Sequence, residues 1–90
     1  MGDRIVLVTG ATRGLGRGMA RGFASRGHTV AITGRDRAQL AEVVGEIENG
    51  GGQGIALQCD HRNDEAVARA FAQLADQTGG RLDVLVNNAA

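Results

Sequence analysis

A chain of 90 residues with 42% hydrophobic content reads as one small globular domain, spanning residues 1–90, whose core is limited by its size. A formal net charge of zero and only two aromatic residues, both Phe, argue against a general nucleic-acid or membrane-surface binder. The single Cys59 excludes an internal disulfide, no apolar run approaches the ~18 residues of a membrane span, and the start MGDR lacks a secretory h-region, so the expected compartment is the cytoplasm.

The apolar pattern changes period along the chain. Arg4 to Thr9 (RIVLVT) is a short β-branched run suited to a buried strand, and a helical segment follows from about Arg13 to Arg26, with Leu15, Met19 and Phe23 at i, i+4 and i+8. Gly18 and Gly22 on that helix are expected to allow close contact with a sheet. His28 to Thr33 (HTVAIT) is a second strand, and RDRAQLAEVVGEIENG sets Leu40, Val43, Val44 and Ile47 on one helical face before a glycine stop. Gly54 to Gln58 (GIALQ) is a third strand. NDEAVARAFAQLADQTGG is the clearest helix, with Asn63 or Asp64 as N-cap, a stripe of Val67, Ala70, Phe71 and Leu74, and Gly79 beyond its end. Leu82 to Val86 (LDVLV) closes as a fourth strand. Strands alternating with helices of roughly 10–15 residues predict right-handed β-α-β units, a parallel sheet and a three-layer α/β architecture.

Charge is unevenly distributed along this pattern. Met1 to Gly45 carries seven Arg against Asp3, Asp36 and Glu42, a net of +4, whereas Glu46 to Ala90 carries three Arg against seven acids, a net of −4. A small anionic ligand therefore favours the first half. Three glycines, Gly10, Gly14 and Gly16, stand where the first helix should start, although glycine weakens a helix interior by roughly 0.5–1 kcal/mol against alanine. A strand, a turn without side chains and a helix N-terminus together present free N–H groups and the positive end of the helix dipole, and phosphate is their natural guest. A Cβ at the closest positions is expected to collide with a diphosphate. The spacing G-x-x-x-G-x-G is neither the P-loop, which needs a Lys, nor the plain G-x-G-x-x-G fingerprint.

Thr9 to Gly16, TGATRGLG, resembles the TGxxxGxG cofactor motif of the short-chain dehydrogenase/reductase family. Three further features fall in family order: Gly34-Arg35 after the second strand, Cys59-Asp60 after the third, and Asn87-Asn88-Ala89 after the fourth. The resemblance covers nearly the whole chain. It implies a Rossmann-type three-layer α/β/α fold with a partial parallel sheet of strand order 3-2-1-4, a nicotinamide cofactor, and hydride transfer on a small carbonyl or alcohol substrate. Thr12, Arg13 and Leu15 complete the cofactor loop with the three glycines. In that strand order the first two helices cover one sheet face, the third alone covers the other, and Leu82 to Val86 is an apolar edge strand.

A nicotinamide site for NAD usually has an acid at the end of the second strand, where this chain has Gly34 followed by Arg35. Arg13 is basic at a loop position where family members preferring NADP often carry Arg or Lys. The expectation is NADP(H) over NAD(H), with NAD(H) kept open because the neighbouring Asp36 could hold a ribose hydroxyl instead. The resemblance places Asp60 against the adenine amino group, with the backbone N–H of His61 facing a ring nitrogen; a helix cap or loop acid is the alternative for Asp60. Asn87, with Ala89 in the same motif, would bridge strands and line the cofactor ribose; a plain turn is its alternative, and Ala90 stands where the family motif has Gly. Cys59, Asp60 and His61 are consecutive on extended chain and point to alternating sides, which disfavours a shared metal ion. His28 and the charges of Arg17, Arg21 and Asp76 read as structural or solvated.

The family's hydride transfer uses a Tyr and a Lys, and this chain contains neither, its ten basic residues all being Arg. No catalytic residue is therefore assigned. The sequence is expected to be the cofactor-binding half of a longer reductase that is a homo-oligomer when complete, the alternative being a free-standing dinucleotide-binding module.

Overall fold

The computed structural model describes residues 4–88. Its elements alternate: β1 (Ile5–Val8), α1 (Gly14–Ala24), β2 (Thr29–Gly34), α2 (Arg37–Asn49), β3 (Gln53–Gln58), α3 (Asp64–Thr78) and β4 (Val84–Val86). The strands form one parallel sheet in the order β3-β2-β1-β4, with Val6 opposite both Val30 and Val84. This is the Rossmann-type order that the motifs imply.

Successive strand residues point to opposite faces, and this divides the core in two. Val6, Val8, Val30 and Ile32 pack against Ala20 and Ala24 of α1 and Leu40, Val43 and Ile47 of α2. Leu7, Ala31 and Leu57 face the other way and meet Ala70 and Leu74 of α3. Each fully buried Val, Leu or Ile contributes about 1.5–3 kcal/mol, and strands covered on both faces need no polar alternation, so β1 and β2 read as unbroken apolar runs.

The helix ends follow from local chemistry. Asp36 Oδ1 accepts from the N–H groups of Ala38 (2.8 Å) and Gln39 (3.2 Å) and starts α2. Asn63, rather than Asp64, caps α3 by accepting from Ala66 N–H at 3.1 Å, and Gly79 ends that helix in the left-handed conformation at φ 66°. Helix α1 has no side-chain cap.

Two expectations about α1 need correction. Its buried stripe is Gly16, Ala20 and Ala24, one position on from the predicted Leu15, Met19 and Phe23, and Leu15 is 73% exposed. The helix axis lies so near the sheet that only residues with little or no side chain fit the contact, and the larger ones move to its flanks. Gly18 and Gly22 do not touch the sheet: an added Cβ at either meets nothing within 4 Å. The apolar edge is as expected, since among the described residues β4 pairs only with β1 and Leu85 remains 52% exposed. Helix α3 packs mainly over β3, which also leaves Phe71 exposed.

Candidate functional site

The crossover from β1 to β2 runs to one side of β1, and the crossover from β3 returns to β4 on its other side, which opens a crevice at the carboxyl ends of the strands. The glycine loop fills the start of this crevice. Gly10 and Gly14 hold φ of 64° and 62°, a conformation that costs side-chain-bearing residues. Gly10 N–H donates to Thr33 Oγ1 at 3.0 Å and Ala11 N–H to the Thr33 carbonyl at 3.2 Å, so the end of β2 pins the turn. The buried Thr33 hydroxyl also lies 2.8 Å from His61 Nε2, which links the loop to the segment after β3.

Gly16 answers a different need. A Cβ there would stand 2.5 Å from Asn88 Nδ2 and 2.6 Å from the Gly10 carbonyl oxygen. The collision expected with a diphosphate is at this position a collision with the protein itself, because α1 begins directly beneath the loop and the Asn88 amide donates to Gly10 O at 3.1 Å. With α1 uncapped, the N–H groups of Thr12, Arg13, Gly14, Leu15 and Gly16 have no partner among the described residues. Five free donors at the positive end of a helix form a ready anion site.

The loop faces an open cleft of about 490 Å³ whose walls are Gly10, Thr12 and Arg13, the β2 end at Gly34 and Arg35, residues 59–62 after β3, and Asn88. A second hollow of about 560 Å³ shares Thr12, Arg13 and Arg35 with it and adds Asp36 and Gln39. Arg13 and Arg35 are exposed and make no ion pair among the described residues, so their charge is available to a ligand. Gly34 sits between them at the cleft wall, and a Cβ on it would come within 2.5 Å of Thr12 Cγ2 and 3.2 Å of Leu40 Cδ2. Asp36, in contrast, already spends Oδ1 on capping α2.

Cys59, Asp60 and His61 turn to three different partners. Cys59 lies in the core beneath α3, and burial pushes its thiol above the ordinary range. His61 engages Thr33. Asp60 is bound by Arg62, whose N–H and Nε donate to Oδ1 at 3.0 and 3.1 Å and whose Nη2 donates to Oδ2 at 2.9 Å. This pairing holds the Asp60 carboxyl down at about 2.

Gly10, Thr12, Arg13, Gly34, Arg35, Asp60 and His61 therefore meet in one cleft. Gly14 and Gly16 are not on its wall, and Leu15 is exposed on the first turn of α1. Asn87 is exposed and its Oδ1 lies 3.3 Å from the Thr9 hydroxyl; the amide that donates across the strands, and that lines the cleft, belongs to Asn88. Ala89 lies outside the described residues. The motif reading assigns nothing to Thr33, Asn88 or Arg62, whose parts depend on contacts across elements.

Arg17 is also more than a solvated charge. It bonds the Glu46 carboxylate through Nε (3.0 Å) and Nη2, reaches Glu42 at 2.9 Å, and donates to the Thr12 carbonyl at 3.3 Å. The guanidinium thereby ties α1 to α2 and to the glycine loop, and it holds the Glu46 carboxyl below its usual range.

Comparison with known proteins points the same way. The family model described as short chain dehydrogenase matches residues 4–90. A 3beta-hydroxysteroid dehydrogenase of Mediterraneibacter gnavus is 45% identical over 87 residues, which are 97% of this chain and 31% of that protein. Dehydrogenase/reductase SDR family member 1 of Homo sapiens is 44% identical over 89 residues, 99% of this chain and 28% of that protein. A metagenomic short-chain oxidoreductase crystallised in complex with NADP superposes with a TM-score of 0.92 at 38% identity, covering 100% of this chain and 40% of that one. The chain spans about a third of the length of the curated relatives it matches.

Proposed function

Because the chain belongs to the short-chain dehydrogenase family, a family of oxidoreductases, we propose that residues 1–90 are the cofactor-binding half of an NADP(H)-dependent oxidoreductase acting on a carbonyl or alcohol substrate. The observation that carries this reading is the pair of free guanidinium groups, Arg13 and Arg35, flanking a glycine where an NAD site has an acid. The neighbour crystallised with NADP supports it. The cofactor, when bound, supplies the hydride donor or acceptor. The chain's own part is to bind and orient it. The free N–H groups of the Gly10–Gly16 loop take the diphosphate, and Arg13 and Arg35 take the 2′-phosphate. Asp60 and the His61 N–H face the adenine, and the Asn88 amide on the cleft wall borders the ribose. Two charge-assisted contacts, discounted for solvent screening, favour NADP(H) by roughly ten- to a hundredfold.

The absence of Tyr and Lys favours a second reading for the chain at this length, a dinucleotide-binding module without turnover. Both readings share the binding step, which fluorescence titration with NADPH and NADH measures. The decisive variant is Gly34→Asp combined with Thr12→Ser, because the serine removes the methyl that stands 2.5 Å from the new Cβ. It places a carboxylate among the arginines and should reverse the preference toward NADH. A folded double variant with both affinities unchanged would sink the NADP assignment.

A further inference from the structure

Among the described residues Asp60 is the one carboxylate on the wall of the cleft of about 490 Å³, and it shares that wall with Arg13 and Arg35. Left uncompensated, it would repel an anion drawn in by those two arginines. Arg62 compensates it: its Nε and Nη2 donate to Oδ1 at 3.1 Å and Oδ2 at 2.9 Å and hold the guanidinium against the carboxylate, and its backbone N–H adds a third bond to Oδ1 at 3.0 Å. Only one of these bonds falls on Oδ2, which leaves that oxygen able to accept another donor without displacing the arginine. The carboxylate thus keeps an acceptor while its charge is cancelled.

We propose that Arg62 is a positioning and specificity residue for the 2′-phosphate, acting through Asp60: it removes the repulsion that the carboxylate would exert on a phosphate held by Arg13 and Arg35. The proposal rests on the NADP(H) reading above. It differs from a direct Arg62–phosphate contact, because the Nε and Nη2 edge of the guanidinium is turned to Asp60. Held well below the ordinary carboxylate range, Asp60 stays ionised and paired with Arg62 throughout the neutral range. Side-chain exposures of 76% for Arg62 and 37% for Asp60 mean that the effect is screened by water and salt.

The test is the ratio of NADPH to NADH affinity, titrated by fluorescence on the full 90-residue chain at low and high salt. Arg62→Gln should lower the ratio by about three- to sixfold at low ionic strength, the effect of one unit charge on a dianionic group several ångström away in a watery cleft, and by less at 0.5 M salt. Adding Asp60→Asn to Arg62→Gln should restore the ratio, since no charge is left to compensate. Any loss of an adenine contact affects both nucleotides equally and cancels in the ratio. An unchanged ratio in Arg62→Gln overturns the proposal. So does a lowered ratio that Asp60→Asn does not restore, which would mean that Arg62 touches the phosphate itself. The wild-type ratio separately tests the cofactor reading: a preference for NADH overturns that reading, while the change between variants still decides the role of Arg62. A chain that binds neither nucleotide overturns both.

Discussion

Replacing the glycines of the first helix one at a time by alanine should give opposite results within two turns. At Gly18 and Gly22 the new methyl meets nothing within 4 Å, so only the helix preference of alanine acts, and each variant should gain about 0.5–1 kcal/mol. At Gly14 there is also open space, but φ is +62°, and an L side chain there costs about 1–2 kcal/mol. At Gly16 the cost is steric. The methyl would lie 2.6 Å from a backbone oxygen, that of Gly10, and 3.2 Å from Ala11 Cα, and no rotamer change relieves either contact. Overpacking of this kind costs about 1–3 kcal/mol, so Gly16→Ala and Gly18→Ala should differ by about 1.5–4 kcal/mol although they lie two residues apart. Urea unfolding followed by far-ultraviolet circular dichroism measures this, with the midpoint moving and the slope constant. Gly16→Ala as stable as the wild type would refute the close approach of α1 to the loop. A destabilised Gly18→Ala would refute the open face.

Three further outcomes follow from the ion pairs and the cleft. Asp83 Oδ2 accepts the Ile5 N–H at 2.7 Å, and this bond, with a smaller one from Arg81, holds its carboxyl below the ordinary range, as Arg62 does for Asp60 and Arg17 for Glu46. A carboxylate lowered in the folded state stabilises it above its unfolded value and loses that contribution as pH falls through the folded value. Stability should therefore decline from near the ordinary 3.8–4.5 toward about 2, and Asp83→Asn should flatten part of that slope in acid titrations followed by circular dichroism. Arg17→Met removes the tie between α1, α2 and Thr12, so the Glu46 carboxyl should return toward its ordinary value in a carbon-13 titration, with a fall in Tm of a few degrees, about what a surface network supports. Gly34→Asp with Thr12→Ser should bring the NADPH preference down by at least the roughly tenfold assigned to the two arginines, read by the same titration as the proposal for Arg62.

Much of the molecule is legible from local pattern alone. Periods of two and 3.6 locate four strands and three helices, and the unbroken runs IVLV and TVAI identify the two strands that are covered on both sides. The cap at Asn63 and the stop at Gly79 are single-residue chemistry, readable without a fold, whereas the part of Asp36 as the cap of α2 came from the structure. The glycine loop and the strand-end pairs Gly34-Arg35 and Cys59-Asp60 are legible too, because they are short contiguous segments whose geometry is set by their own backbone. The hydrophobic stripe of α1 is not, since large residues normally mark a buried face, and here the distance between helix and sheet admits only Gly16, Ala20 and Ala24.

By itself, then, the sequence determined the order of the elements, the anion-seeking loop and the absence of any Tyr or Lys. Only the tertiary structure decided which glycine answers to the protein and which to backbone conformation, that Thr33 and Asn88 pin the loop, that Arg17 ties it to α2, and that Arg62 neutralises Asp60. The physical reason is range: propensity, capping and charge act within a few residues, whereas Asn88 meets Gly10 across 78 positions and Thr33 meets His61 across 28. Such pairs exist only once the strands have taken their places side by side.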